Sequence, residues 1–105
     1  MTIARPGEVW MTDLGMAAKV RPCLVLTPVP ESGDLDVFTV VAHTTALRGN
    51  QWEIQIEKPF FRDKGAFDVQ RMATVARVKL ERKLGELTGA ELRRILDLVA
   101  ERFGI

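Results

Sequence analysis

Short runs of alternating hydrophobic and polar residues occupy the first two-thirds of the chain, and a helical pattern occupies its end. Alternation with a period of two is typical of a strand with one buried face. The pattern predicts strands over residues 7–14, 21–27, 37–45, 52–57 and 67–75. Residues 78–86 fit either a short strand or an irregular segment. The intervening segments are rich in Gly, Pro or polar residues and are predicted to be turns or loops.

The second predicted strand has an unusual composition. Residues 21–27 (RPCLVLT) are almost all apolar, as expected of a strand that is covered on both faces. Pro22 has no N–H group to donate, so we expect it to be the first residue of this strand. Cys23, inside the apolar run, is predicted to fill the core and not to act as a nucleophile.

Residues 88–104 predict an amphipathic helix that closes the domain. Thr88 and Glu91 have the spacing of a capping box, in which each side chain bonds the other residue's backbone N–H. Gly104 supplies a stop signal. An apolar stripe at helical spacing is formed by Leu92, Ile95, Leu96, Val99 and Phe103. The chain is therefore expected to be one domain over residues 1–105, a twisted antiparallel sheet or small barrel closed by one helix.

Composition excludes several functional classes. The chain has 105 residues, 47% hydrophobic and 28% charged, with a net charge of +1, so a nucleic-acid surface would have to be a local patch. It has one cysteine and one histidine, which excludes an internal disulfide and the usual zinc spacings. No phosphate-binding loop, dinucleotide fingerprint or acidic metal cluster is visible. No signal peptide or membrane span is visible either, which predicts a cytoplasmic protein without membrane contact.

Five motifs follow one another along the chain. They are residues 5–10 (RPGEVW), 21–27 (RPCLVLT), 40–45 (VVAHTT), Gln70, and 84–87 (LGEL) followed by the capped helix. In this order they resemble the MazF/PemK (Kid-like) family of toxins from type II toxin–antitoxin systems. The resemblance implies a mainly β fold with one α-helix, an SH3-like (CcdB/MazF-type) antiparallel β-barrel with a C-terminal helix.

The resemblance also implies an activity and partners. It implies a metal-independent endoribonuclease, an mRNA interferase without cofactors, that cleaves single-stranded RNA and inhibits translation and growth. The products would carry 2′,3′-cyclic phosphate and 5′-hydroxyl ends. The protein would be a homodimer, silenced by a MazE-like antitoxin whose C-terminal tail competes with RNA.

Carried onto this sequence, the resemblance assigns Arg21 and a threonine to catalysis. Arg21 would clamp the phosphate with its planar fork of donors and is a possible proton donor. Thr45 is favoured over Thr44 because it directly precedes the following turn. Further RNA contacts are expected from Gln70, Lys19, Arg48 and Arg71, with Arg77 as another phosphate contact and Trp52 or Phe38 as a base-stacking residue.

His43 departs from the family pattern. A histidine near neutral pH can take the proton of the 2′-hydroxyl, and regular alternation would place His43 on the same face as Thr45. The favoured interpretation is an ordinary, partly buried histidine. The loop over residues 15–20 is shorter than in many relatives and has no acidic residue, so it predicts neither an acidic base nor a cleavage sequence.

Two other functions compete with the ribonuclease. One is a CcdB-like toxin that shares the fold and poisons DNA gyrase without catalysis; the ending Phe103-Gly104-Ile105 is similar to such proteins. The other is an SH3-like barrel that only binds a protein. The Arg21-Pro22 motif and the threonine pair favour the ribonuclease, because neither alternative needs them.

Overall fold

Six strands and one α-helix make up the fold. The computed structural model describes residues 2–105, and of Ala18 only the backbone. The strands are β1 (Glu8–Asp13), β2 (Val20–Val25), β3 (Val37–Thr44), β4 (Glu53–Ile54), β5 (Ala66–Ala76) and β6 (Leu80–Glu86), followed by helix α1 (Gly89–Arg102). Single turns of 3-10 helix at Met16–Ala18 and Arg77–Lys79 precede β2 and β6.

All six strands belong to one antiparallel sheet. Their order is β4-β5-β3-β2-β1-β6. Within the described residues β4 and β6 do not pair with each other, so the sheet stays open and is barrel-like without closing. The predicted fold class, an antiparallel sheet with a C-terminal helix, is confirmed.

The two faces of the sheet bury separate cores. On the first face Val9, Leu24 and Val41 lie side by side across three strands, and α1 packs over them through the fully buried Ile95. On the second face Cys23 and Ala42 pair, and the same cluster includes Ala4, Val25, Phe38, Val40 and Leu80. Strand β2 is therefore covered on both faces, as its apolar run predicts.

Helix α1 begins as predicted and ends one residue before the last position of its predicted apolar stripe. The Glu91 N–H donates to Thr88 Oγ1 at 3.1 Å, and the Thr88 N–H donates to Glu91 Oε1 at 2.8 Å, which confirms the capping box. Phe103 is 63% exposed, so its predicted place in the buried stripe is wrong. The helix ends at Arg102, and Gly104 turns the chain with a φ of 74°. No helix within residues 2–105 is long and apolar enough to cross a bilayer.

Strands β2 and β4 differ most from the predicted ones. Pro22 is the third residue of β2 and not the first; it pairs with Met11 on β1, and the pairing of β2 with β3 starts only at Cys23. Its missing N–H is tolerated because β2 has one partner at that point. The predicted strand over residues 52–57 is reduced to Glu53–Ile54. Beyond it the chain leaves the sheet, although Ile56 stays buried and so preserves the alternation.

Candidate active site

Most of the predicted site residues meet at one end of the sheet. Strands β2 and β3 are antiparallel neighbours, so the first residues of β2 and the last residues of β3 lie at the same end. Arg21 is the second residue of β2, and Thr44 is the last residue of β3. The fold therefore brings together Arg21 and the threonine pair, which are more than twenty residues apart in sequence.

Arg21 projects from the second face of the sheet. Side chains two residues apart on a strand share a face, and Cys23 lies in the core of the second face. Arg21 is half-buried and pairs with Thr12 on β1. Thr12 is fully buried, and its hydroxyl donates to the Trp10 carbonyl at 3.0 Å. The Arg21 backbone is thus paired with a buried, hydrogen-bonded residue of β1.

The two threonines occupy different environments. Thr44 is 1% exposed, and its Oγ1 accepts the Ala46 N–H at 3.1 Å. This local bond turns the chain out of β3, which is why the strand ends one residue before the predicted Thr45. Thr45 is exposed in the bend that follows. Of the two threonine side chains, that of Thr45 is therefore the accessible one.

A wide bulge in β5 adds further polar groups near this end. His43 pairs with Phe67 and Val41 with Met72, so residues 68–71 on β5 lie opposite the single residue Ala42. The bulge presents Gln70, which is exposed, and Arg71, which is half-buried. Both were predicted to contact RNA, and both lie beside the strand that carries the threonines.

Asp68 holds this bulge in place and was missed by the sequence analysis. Its side chain is 1% exposed; Oδ1 accepts the Gln70 N–H at 2.9 Å, and Oδ2 accepts from Arg71 Nε at 3.3 Å. A buried carboxylate needs such partners to offset its lost hydration. The hydrogen bond from Nε orients the Arg71 guanidinium and does not use its two terminal nitrogens. The only signal in the sequence is one acidic residue between Phe67 and Val69.

Two predicted cations flank the same end of the sheet. Lys19, just before β2, is exposed and has a φ of 60°, the one positive φ among the non-glycine residues described. Arg48 is exposed in the loop after β3. Its N–H donates to Glu53 Oε2 at 2.9 Å, and this bond is the leading cause of the lowered pKa of Glu53. The bond anchors the loop backbone while the Arg48 side chain stays in solvent.

His43 lies away from this group. Its ring stacks on Phe61 with centroids 4.0 Å apart and meets the edge of Phe67 at 5.2 Å, and both rings pack on the first face. Arg21 projects from the second face, so the structure does not bring the two together. Thr45 does not share a face with His43 either, because β3 ends before it. His43 is 5% exposed, as the favoured interpretation of a buried histidine expects.

Phe38, Arg77 and Trp52, which were predicted as further RNA contacts, lie in three different environments. Phe38 is fully buried, so its predicted role in base stacking is wrong. Arg77 bonds Asp36 Oδ1 at 2.6 Å and the Thr2 carbonyl at 2.7 Å, which gives it a structural role instead of a phosphate contact. Trp52 is half-buried beneath the Arg102 guanidinium, which lies 5.0 Å from the ring centroid. Within residues 2–105, no group of three or more His, Cys, Asp or Glu side chains could hold a metal ion.

Solved structures share this fold over nearly their whole length. An endoribonuclease from a mycobacterial species matches with a TM-score of 0.77 and 22% identity, covering 100% of this chain and 95% of the other. An endoribonuclease from a mycobacterial species in complex with its cognate antitoxin matches with a TM-score of 0.79 and 22% identity, covering 97% of this chain and 96% of the other. A MazF from Deinococcus radiodurans matches with 0.80 and 17%, over 100% of both chains. At these identities the likeness establishes the shared fold.

Sequence comparison identifies the family. A search of curated proteins found no significant match. A family model, described as PemK-like, MazF-like toxin of type II toxin–antitoxin system, matches residues 5–103. This match spans every strand and the helix and includes all the site residues described above. The chain therefore belongs to the PemK-like, MazF-like toxins of type II toxin–antitoxin systems.

Proposed function

We propose that this toxin is an endoribonuclease that cleaves single-stranded RNA without a metal ion. The observation that supports the proposal is that Arg21 and the exposed Thr45 lie at the same end of neighbouring strands, with the Asp68-bonded Arg71 in the adjacent bulge of β5. A guanidinium, a hydroxyl and a second guanidinium suit a phosphodiester whose negative charge grows during reaction. Family membership and the endoribonuclease names of two structural neighbours support the same activity.

In the proposed reaction the RNA supplies its own nucleophile. The 2′-oxygen attacks the adjacent phosphorus as it loses its proton to water, the bond from phosphorus to the 5′-oxygen breaks, and that oxygen takes a proton from water. The products are a 2′,3′-cyclic phosphate and a 5′-hydroxyl. Arg21 donates two N–H groups to the non-bridging oxygens, where charge builds up, and remains charged itself. Thr45 donates its hydroxyl to the same phosphoryl group.

The remaining polar residues bind the RNA strand on either side of the cleaved bond. Arg71 and Gln70 contact it from the β5 bulge, and Lys19 and Arg48 contact the flanking phosphates. Arg71 is the best oriented of these groups, because its Nε is already bonded to a buried carboxylate. Lys19 and Arg48 are long, exposed side chains, so they attract the RNA phosphates electrostatically but do not fix the position of the strand.

We further propose that the toxin acts as a homodimer and is silenced by a MazE-like antitoxin. Neighbours with the same fold include MazE–MazF complexes, which supports an antitoxin partner. The C-terminal tail of the antitoxin would cover the Arg21 end of the sheet and order only on binding. A gyrase-poisoning role is not favoured, because the matched family is PemK/MazF and the neighbours are endoribonucleases.

The test compares the wild-type protein with Arg21→Ala and Arg93→Ala on a long single-stranded RNA in EDTA. Arg93 lies on α1, 70% exposed, in a 3.8 Å ion pair with Asp97, so its loss removes the same charge at little cost in stability. We expect discrete fragments with 5′-hydroxyl ends from the wild type and Arg93→Ala, and none from Arg21→Ala. Thermal stability of Arg21→Ala should stay close to that of the wild type.

Each alternative result has a definite meaning. A large loss of stability in Arg21→Ala would assign the arginine a structural role. Cleavage that requires a divalent ion would refute the metal-independent mechanism. Intact RNA in every lane would refute the ribonuclease, and a gyrase-poisoning assay would then decide the second function.

A further inference from the structure

A recess lies on the first face of the sheet, beneath the loop that joins β4 to β5. Its volume is about 720 Å³, within the usual range for small-molecule sites. Gly65 closes the loop against β3. A Cβ at this position would lie 2.3 Å from the Thr44 carbonyl oxygen and 2.7 Å from His43 Cε1. The recess therefore shares a wall with the last residue of β3, directly behind the proposed active site.

His43 is one of the residues that line this recess. Its ring stacks on Phe61 and makes an edge contact with Phe67. Within residues 2–105, no side-chain nitrogen or oxygen that is fully buried lacks a hydrogen-bond partner. The His43 nitrogens make no hydrogen bond within these residues, so they are reached by solvent, and we infer that they are reached from the recess that His43 lines. Burial lowers the pKa of His43, which keeps the ring uncharged at neutral pH. A neutral imidazole offers one donor and one acceptor.

The charge of the lining decides which chemistry fits. Arg62 and Lys64 at the rim are balanced by Glu57 and Asp63, and the fifth ionised group, Lys58, is bonded to Glu91 on α1 at 2.7 Å. A site for a free phosphate or an acidic segment would have an excess of cations. This recess is near neutral, with apolar walls from Ile56 and Phe61, and so fits an uncharged, planar, polar group.

We propose that the recess is a nucleobase subsite, in which His43 hydrogen-bonds the edge of one base of the bound RNA. The proposal rests on the proposed ribonuclease function. Strands β2, β3 and β5 are neighbours, so Arg21 and Gly65 are separated by two strand spacings, roughly 10 Å of backbone. Single-stranded RNA presents splayed bases that proteins stack on aromatic rings and read at their edges. Half-buried Phe61 lines the recess beside His43 and gives the base an apolar wall.

Binding can be tested without any cleavage. The chain has one histidine, so the imidazole Cε1–H gives one assignable NMR signal. Each of the four ribonucleoside 5′-monophosphates is titrated into the protein, with ribose 5-phosphate and an oligoglutamate peptide as controls. We expect a saturable shift with one or two of the nucleotides and none with the controls. Equal shifts from ribose 5-phosphate would indicate a phosphate site, a shift from the peptide alone would indicate a protein-binding recess, and no shift at all would exclude a ligand there; each overturns the proposal.

Cleavage specificity supplies the second measurement. His43→Leu and His43→Gln are compared with the wild type on a randomised RNA, with Arg93→Ala as the control for handling. We expect His43→Leu to lower kcat/KM for the preferred base at one position near the cut by 10-fold or more, with His43→Gln in between. An unchanged base profile in folded His43→Leu would overturn the subsite while leaving the ribonuclease intact. A wild type that cuts no RNA would refute the ribonuclease, and the NMR titration would still decide the recess.

Discussion

Replacing Gly65 by alanine tests how tightly the β4–β5 loop is held against the end of β3. The added Cβ would lie 2.3 Å from the Thr44 carbonyl oxygen, a backbone atom that cannot rotate away. Ordinary contact requires a shift of roughly 1 Å. Forcing a methyl group into a packed site costs typically 1–3 kcal/mol, so we expect the free energy of unfolding of Gly65→Ala to fall by about that amount. For a chain of this length 1 kcal/mol corresponds to roughly 4 °C, so Tm should fall by about 4–12 °C.

The same shift should reach the active site, because Thr45 follows the displaced carbonyl directly. A misplacement of about 1 Å in a catalytic group can cost roughly 100-fold in rate, and we expect a loss of that order in RNA cleavage well below Tm. Gly89→Ala is the matched control, since a Cβ there meets nothing within 4 Å and alanine favours the first turn of α1. Unchanged Tm and rate in Gly65→Ala would refute the close approach. A lower Tm with normal cleavage would show that Thr45 does not depend on the position of the Thr44 carbonyl.

Three further predictions concern buried groups. Asp68→Asn keeps an oxygen for the Gln70 N–H but turns an amide donor towards Arg71, so stability should fall by about 1–3 kcal/mol in urea unfolding. The rate of RNA cleavage should also fall in this variant, and adding Arg71→Ala should lower it little further. Fully additive losses in the double-mutant cycle would show that Asp68 does not act through Arg71. Burial lowers the pKa of His43, so at acid pH the unfolded chain binds a proton more readily than the folded chain does. The free energy of unfolding is therefore unaffected by His43 above about pH 6.5, the unfolded pKa, and falls as the pH is lowered below it. Unfolding at several pH values should show a smaller acid loss in His43→Gln, and an equal loss would assign the proton uptake to other groups. Cys23 is fully buried, and burial raises its pKa to about 12, so it should react with a thiol reagent only in denaturant; fast native labelling would contradict its place in the core.

Local patterns predicted most of the fold, and the errors occur where tertiary contacts decide. The capping box of α1 depends on residues three apart, so the sequence contains all of it. The predicted strand over residues 52–57 alternates correctly and still leaves the sheet after Ile54, because Ile56 is buried in the core of the first face without strand pairing. Phe103 has the right spacing for the buried stripe, yet the helix ends one residue before it and its side chain is exposed.

The candidate site was predictable only where a motif carried it. Arg21 and the threonine pair stand in motifs of the family, and antiparallel pairing of β2 with β3 brings them to one end of the sheet. Asp68 was not predictable, because an acidic residue in an apolar run does not show that four residues of β5 oppose one residue of β3. The face occupied by His43 was inferred relative to Thr45, and that inference failed because the Thr44 side chain ends the strand first.

Within residues 2–105, β4 and β6 are the two edge strands of the open sheet, and each is unsuited to capturing another chain. Strand β4 has only two residues, too few to template an added strand. Strand β6 is longer, but four exposed charged residues, Glu81, Arg82, Lys83 and Glu86, lie along its seven positions. Adding a strand to β6 would take these charged side chains out of water. The edges of the sheet are therefore protected against the addition of a further strand.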